Sequence, residues 1–197
     1  MKCSVSVRGE ASRQRIMDAA RVLFAAKGFS KVTMKDICDG AGMSRGGLYR
    51  HYPSTEAIFA ALIEDEQQSA LRALRTAEKN GVSPPSILFT YVKNRIGTFL
   101  DRRSNIENAI TEYAANSEEG MRILKTRARL CISIVTEQIN KGKDLGLFTC
   151  QDSDGAARHI VWLLEGMAKH SAFLPVEADE IDKVIGEIAG IIGYQGK

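Results

Sequence analysis

Residues 42–56 read GMSRGGLYRHYPSTE: a glycine, a serine, two adjacent glycines, then an aromatic and basic cluster interrupted by proline. The spacing around Leu48 is helical, yet each glycine in a helix interior costs about 1 kcal/mol relative to alanine. The bare backbone at Gly46 and Gly47 therefore serves something other than helix stability. Just upstream, TMKDICDGA at 33–41 places Thr33 and Asp36 as a capping-box pair, with Ile37, Cys38 and Ala41 on one apolar face. Two short helices joined by a glycine turn have the spacing of a helix-turn-helix. Gly42 can take the left-handed turn that a β-carbon would resist, and Cys38 is small where the helices cross. Ile37, Ala41, Met43 and Leu48 are expected to share a core with Leu23 and Phe24.

The second helix of such a pair lies in the major groove with its N-terminal end foremost. Missing side chains at Gly46 and Gly47 let the backbone approach base edges or thymine methyls there. Ser44 caps this helix, and Arg45 is its one long donor; bidentate arginine to guanine is the commonest specific base contact. Tyr49 and His51 can give hydrogen bonds to phosphates, and Arg50 adds charge. Thr33 serves as cap and phosphate donor together. Tyr52, one turn after Leu48, reads as packing, and Lys31 and Lys35 as solvated charges that add nonspecific attraction.

The charge distribution agrees. The 197-residue chain carries a net +3, but residues 1–60 hold ten Lys/Arg against five Asp/Glu, whereas the remainder holds seventeen against nineteen. A polyanion is expected to dock on the first part only. With 44% hydrophobic and 26% charged residues the composition is that of a globular protein. No run approaches the roughly 18 apolar residues needed to span a bilayer, and MKCSVSVRGE lacks a signal-peptide core. Cys3, Cys38, Cys131 and Cys150 show neither CxxC spacing nor a disulfide framework. A cytoplasmic protein with reduced thiols is expected.

Nearly every segment is helical in period and none alternates as a strand. A first helix follows Ser12 and stops at Gly28. Pro53 and Ser54 open a long fourth helix running to about residue 80. Beyond the SPP break at 83–85, helices are expected at about 86–101, 105–116, 118–141, 153–172 and 178–194. The expected fold is all-α: a helix-turn-helix domain of residues 1–53, and a second domain of residues 54–197 whose residues 54–80 form the connecting helix.

RIMDAARVLFAAKGFSKVTMKDICDGAGMSRGGLYRHYPSTEAIFAAL, and more weakly the stretch from Gly146 to Met167, resemble the TetR-like one-component transcriptional regulators. The resemblance implies three N-terminal DNA-binding helices, a connecting fourth helix and a C-terminal ligand-binding and dimerisation domain. It also implies a homodimer that represses from a palindromic double-stranded operator until a small molecule releases it. The family usually has lysine after the serine that opens the fourth helix, and that lysine meets a phosphate. Here the stretch is Pro53-Ser54-Thr55-Glu56. Thr55 can still hydrogen-bond a phosphate, but without an ammonium there it releases no counterion.

Catalysis is not expected. His51, His159 and His170 are the only histidines, and no HExxH, GxSxG or P-loop is present; no metal and no cofactor is expected. A DNA-binding protein without a small-molecule sensor, governed by a protein partner or acting architecturally, is the rival reading. Helical phase is the only handle on an effector of unknown identity. Arg95 falls within the stripe Leu88, Tyr91, Val92, Ile96 and Phe99; Arg127 falls between Cys131 and Ile134; Glu66 falls among Leu62, Phe59 and Ala70. A charge in an apolar stripe must be paired, snorkelled or used. One reading is an ion-pair network, such as Glu66 with one arginine. The other has Arg95 or Arg127 holding an anionic ligand in a pocket lined by Tyr91, Phe99, Tyr113 and Trp162. Apolar arcs on the last two helices, including Leu163, Ile185 and Ile188, predict that these helices form the dimer interface.

Overall fold

The computed structural model describes residues 3–101, 105–171, 178–194 and 196, with side chains from residue 9 onward and excluding those of 178 and 179. Among the described residues there are nine α-helices and no strand. They are α1 (Cys3–Lys27), α2 (Met34–Ala41), α3 (Arg45–Tyr49), α4 (Thr55–Lys79), α5 (Pro84–Leu100), α6 (Glu107–Asn116), α7 (Glu118–Asp144), α8 (Ser153–His170) and α9 (Ala178–Ile192). None of these helices is long and apolar enough to cross a membrane.

The observed boundaries follow the sequence signals, with two departures. α1 starts at Cys3, well before Ser12, because SVSVRGEA contains no residue that forbids a helix although it lacks an apolar stripe. The spacing predicts the second helix of the pair over 44–51, whereas α3 stops at Tyr49: Arg50 is its C-cap, and the His51 and Tyr52 N–H groups both turn back to the Leu48 carbonyl, at 2.9 and 3.0 Å. The end of the expected 153–172 helix lies outside the described residues.

The chain packs as two compact units: Met1–Ser69 with Arg102–Ile123, and Ala70–Asp101 with Leu124–Lys197. The first unit is centred on Ile16, Ala20, Phe24, Ile37, Leu48, Ile58, Phe59 and Ile110, all at most 1% exposed. Phe59 of α4 sits among Phe24, Phe29 and Tyr113, with ring centroids 4.5, 5.1 and 5.5 Å away. In the second unit Val92, Ile96, Val135, Ile139, Ile160, Leu164, Ile188 and Ile192 form the centre. The backbone N–H groups of Thr149 and Cys150 bond the Ile192 carbonyl at 3.1 and 3.2 Å, tying the connector before α8 to the end of α9.

α2 is fixed by its cap. The Thr33 side chain accepts from the Asp36 N–H at 3.2 Å, and Asp36 accepts from the Thr33 N–H at 2.9 Å. Lys27 of α1 donates to the same carboxylate at 2.8 Å. Lys27 first, and Thr33 second, hold the Asp36 carboxyl well below the usual carboxylate range. A depressed carboxyl pKa contributes stability above the unfolded value of about 4, and that stability is lost as pH falls further. Melting temperature should therefore drop on going from about pH 6 to about pH 3. In Asp36→Asn the drop should be smaller, as circular dichroism melts at each pH will record.

Candidate nucleic-acid interface

The turn between α2 and α3 is built by Gly42, whose φ of 60° lies in the left-handed region. Its N–H, with that of Met43, closes the end of α2 on the Asp39 and Cys38 carbonyls. Ser44 then caps α3 by accepting the Gly47 N–H at 3.2 Å. Leu48 points inward and is fully buried, so its neighbours along α3 are held facing out. Arg45, Gly46, Tyr49, Arg50 and His51 are exposed, and Gly47 is half-buried. Tyr49, at 53% exposure, is a large aromatic side chain facing solvent beside Arg45 and Arg50 on this segment.

Gly46 and Gly47 differ. A β-carbon at Gly46 would meet no protein atom within 4 Å, whereas one at Gly47 would lie 3.3 Å from Ser44 Oγ. The fold therefore requires no bare backbone at Gly46. Gly46→Ala should raise stability, by at most about 1 kcal/mol, while weakening specific DNA binding. A melt and a binding titration of the same preparation check both signs. A variant that melts higher and binds as tightly as the parent would show that DNA does not approach this backbone.

The remaining DNA candidates flank this turn. Thr33 is exposed, but its hydroxyl proton goes to Asp36, so a phosphate must exchange with that bond. Ser54 accepts the Ala57 N–H at 3.2 Å and caps α4, which makes Thr55 the first helical residue, half-buried at the entry. Tyr52 is buried: its hydroxyl accepts from Arg13 Nε at 3.0 Å and donates to Met17 Sδ at 3.6 Å. That anchor holds the end of the recognition segment on α1.

The effector candidates distribute over both units. Glu66, in the first unit, pairs with Arg21 of α1. Tyr113 also belongs to the first unit, where it packs 4.4 Å from Phe29. In the second unit Arg95 pairs with Glu165 at 3.4 Å and lies over the Phe99 ring, 4.9 Å from its centroid. Phe99 is buried in the second core and Arg127 is 8% exposed. Burial raises the Tyr91 hydroxyl pKa well above the usual phenol range; Cys131, which shares a hydrogen bond with it, adds to the rise, and Arg95 and Arg127 oppose it. Tyr91, Arg95, Arg127, Cys131 and Glu165 are thus a polar group inside this unit. Trp162 is 61% exposed, edge-on to His159 at 6.3 Å, and does not line that interior. Helical phase indicates its direction along α8 but not what lies opposite. No sequence signal marks Glu112, which reaches the turn after α1 from 83 residues away.

The family model described as "Bacterial regulatory proteins, tetR family" matches residues 16–62, the span from α1 through the start of α4. The uncharacterised HTH-type transcriptional regulator YfiR of Bacillus subtilis is 28% identical over 171 residues, 84% of this chain and 82% of YfiR. The HTH-type transcriptional repressor Rv1474c of Mycobacterium tuberculosis is 39% identical over 66 residues, 33% of this chain and 35% of that protein. Among solved structures, Salmonella enterica GusR superposes with a TM-score of 0.72 at 25% identity, over 92% of this chain and 95% of GusR. The matched span holds the recognition segment and GusR shares the all-helical architecture around it, so residues 16–62 carry the DNA-binding domain of the tetR family of bacterial regulatory proteins within a fold similar to that of such regulators.

Proposed function

We propose that the chain is a repressor that binds a palindromic operator as a homodimer and is released by a small molecule held in its second unit. The observation that carries the operator reading is the recognition turn. A buried Leu48 and a Ser44 cap present Arg45 and the bare Gly46 outward, where nothing in the fold requires them. One such element reads only a few base pairs, and two-fold pairing of two chains places the second reader a helical turn away, or a multiple of it. Trp162 on α8 and Ile191 on α9, 61% and 37% exposed, are the surfaces that pairing would cover.

Selection of bound sequences from a random DNA pool tests this reading. A two-fold motif supports it, and enrichment of no symmetric motif sinks it. For the sensor, the charges of Arg95 and Arg127 both act on the buried Tyr91 hydroxyl inside the second unit, and arginines with a phenol are a combination that suits an anion. The rival, a DNA binder with no sensor, draws support from Glu165, which already balances Arg95. A metabolite screen by thermal shift, followed by operator affinity with and without the hit, separates the two. A ligand that binds tightly yet leaves operator affinity unchanged would favour the rival.

A further inference from the structure

The turn between α1 and α2 is held from outside the helix-turn-helix. Glu112 Oε2 on α6 accepts the Phe29 N–H at 2.6 Å. The Ser30 hydroxyl, and then the Phe29 and Ser30 N–H groups, keep the Glu112 carboxyl below its usual range against the opposing effect of burial, and the Lys31 charge adds to them. Successive backbone N–H groups converging on one anion form a nest of the kind that elsewhere binds phosphate. Here a side chain of the same unit fills it. Gly28 fits the arrangement twice over: its φ is 77°, and a β-carbon there would lie 2.7 Å from Glu112 Oε2. Tyr113, next along α6, presses on Phe29 at 4.4 Å, so carboxylate and ring grip the same turn.

This turn leads straight into the DNA-facing machinery. It carries the exposed Lys31 and ends at Thr33, the cap of α2. In a helix-turn-helix the first helix of the pair crosses the phosphate backbone, which brings the N-terminal end of α2 and its preceding turn beside phosphates. We propose that Glu112 is a positioning residue for DNA binding, holding the α1–α2 turn, and with it Lys31 and the start of α2, in the attitude that meets phosphates.

The sign of one measurement separates this from a mere charge effect. A carboxylate near DNA repels phosphate, so neutralising it strengthens binding if charge is all that matters. Loss of positioning weakens binding instead. Glu112→Gln, Glu112→Ala, Lys31→Ala and the Glu112→Ala/Lys31→Ala pair should be titrated against a mixed-sequence duplex at low salt, where phosphate contacts dominate. Circular dichroism melts of each variant give the folded fraction at the assay temperature. Glu112→Ala should bind about tenfold more weakly, which is about 1.4 kcal/mol, and Glu112→Gln should fall between it and the parent. The double variant should lose less than the two single losses together, because a displaced turn no longer delivers Lys31. Folded Glu112 variants that bind as tightly as the parent or tighter would overturn the proposal, as would full additivity with Lys31→Ala. If Glu112→Ala does not fold, Ser30→Ala removes one donor to the carboxylate and should weaken binding in the same direction; unchanged binding there and in Glu112→Gln would equally overturn it. Since the duplex has no selected sequence, the result stands apart from whether the operator is palindromic.

Discussion

Phe59→Ala should destabilise the first unit by about 3–5 kcal/mol, the range for removing a large buried aromatic. The side chain is fully buried, and three aromatic rings from α1, the turn after it and α6 lie within 5.5 Å of its own. Truncation therefore forfeits the transfer free energy of the ring and leaves a void that its stiff aromatic neighbours cannot close. It also removes the ring-on-ring interactions, which add about 0.5–1.5 kcal/mol per pair beyond burial. Chemical denaturation followed by far-ultraviolet circular dichroism reads the loss. Val22→Ala, on the exposed side of α1 at 57% exposure, is the control and should stay within about 0.5 kcal/mol of the parent. Phe59→Leu should lie between them. A Phe59→Ala variant as stable as Val22→Ala would mean that this aromatic group does not organise the unit.

The features legible in the sequence are those with a local cause. The cap at Thr33, the left-handed Gly42, the cap at Ser44 and the inward Leu48 each follow from one residue type at one position, and all are present. The helices after residue 83 are legible for the same reason, through apolar period and the SPP break. Partners are not legible. Glu66 marks itself as a charge in an apolar stripe, but its arginine is Arg21, 45 residues earlier, rather than Arg95 or Arg127. Tyr113 and Trp162 have the right type for a pocket; packing puts the first against Phe29 and leaves the second at the surface. Periodicity fixes which way a side chain leaves its helix. Which element stands opposite is decided by long-range packing, and a single sequence does not record that. Glu112 shows the same limit, since nothing local distinguishes it from any exposed helical glutamate.

Arg45→Ala should abolish most specific recognition while leaving the protein intact. Arg45 opens α3, is exposed, and makes no ion pair with another described residue, so its removal should move the melting temperature little. Against the selected operator the cost should be about 1–3 kcal/mol for each guanine that is no longer read. A two-fold site carries two such guanines, so a dimer should lose about twice that, from about 30-fold to about 10⁴-fold in affinity. Arg45→Lys should rescue only part of the loss, because an ammonium cannot span two acceptors on guanine as the planar guanidinium does. Against a mixed-sequence duplex all three proteins should differ little, as one phosphate-range charge of many is involved. The pattern matters more than any single affinity. Equal losses on specific and mixed-sequence DNA would make Arg45 a phosphate contact, and repeating the selection with Arg45→Ala decides between the two. A base reader leaves a symmetric pair of positions without preference in the new motif, whereas a phosphate contact weakens binding and leaves the motif unchanged.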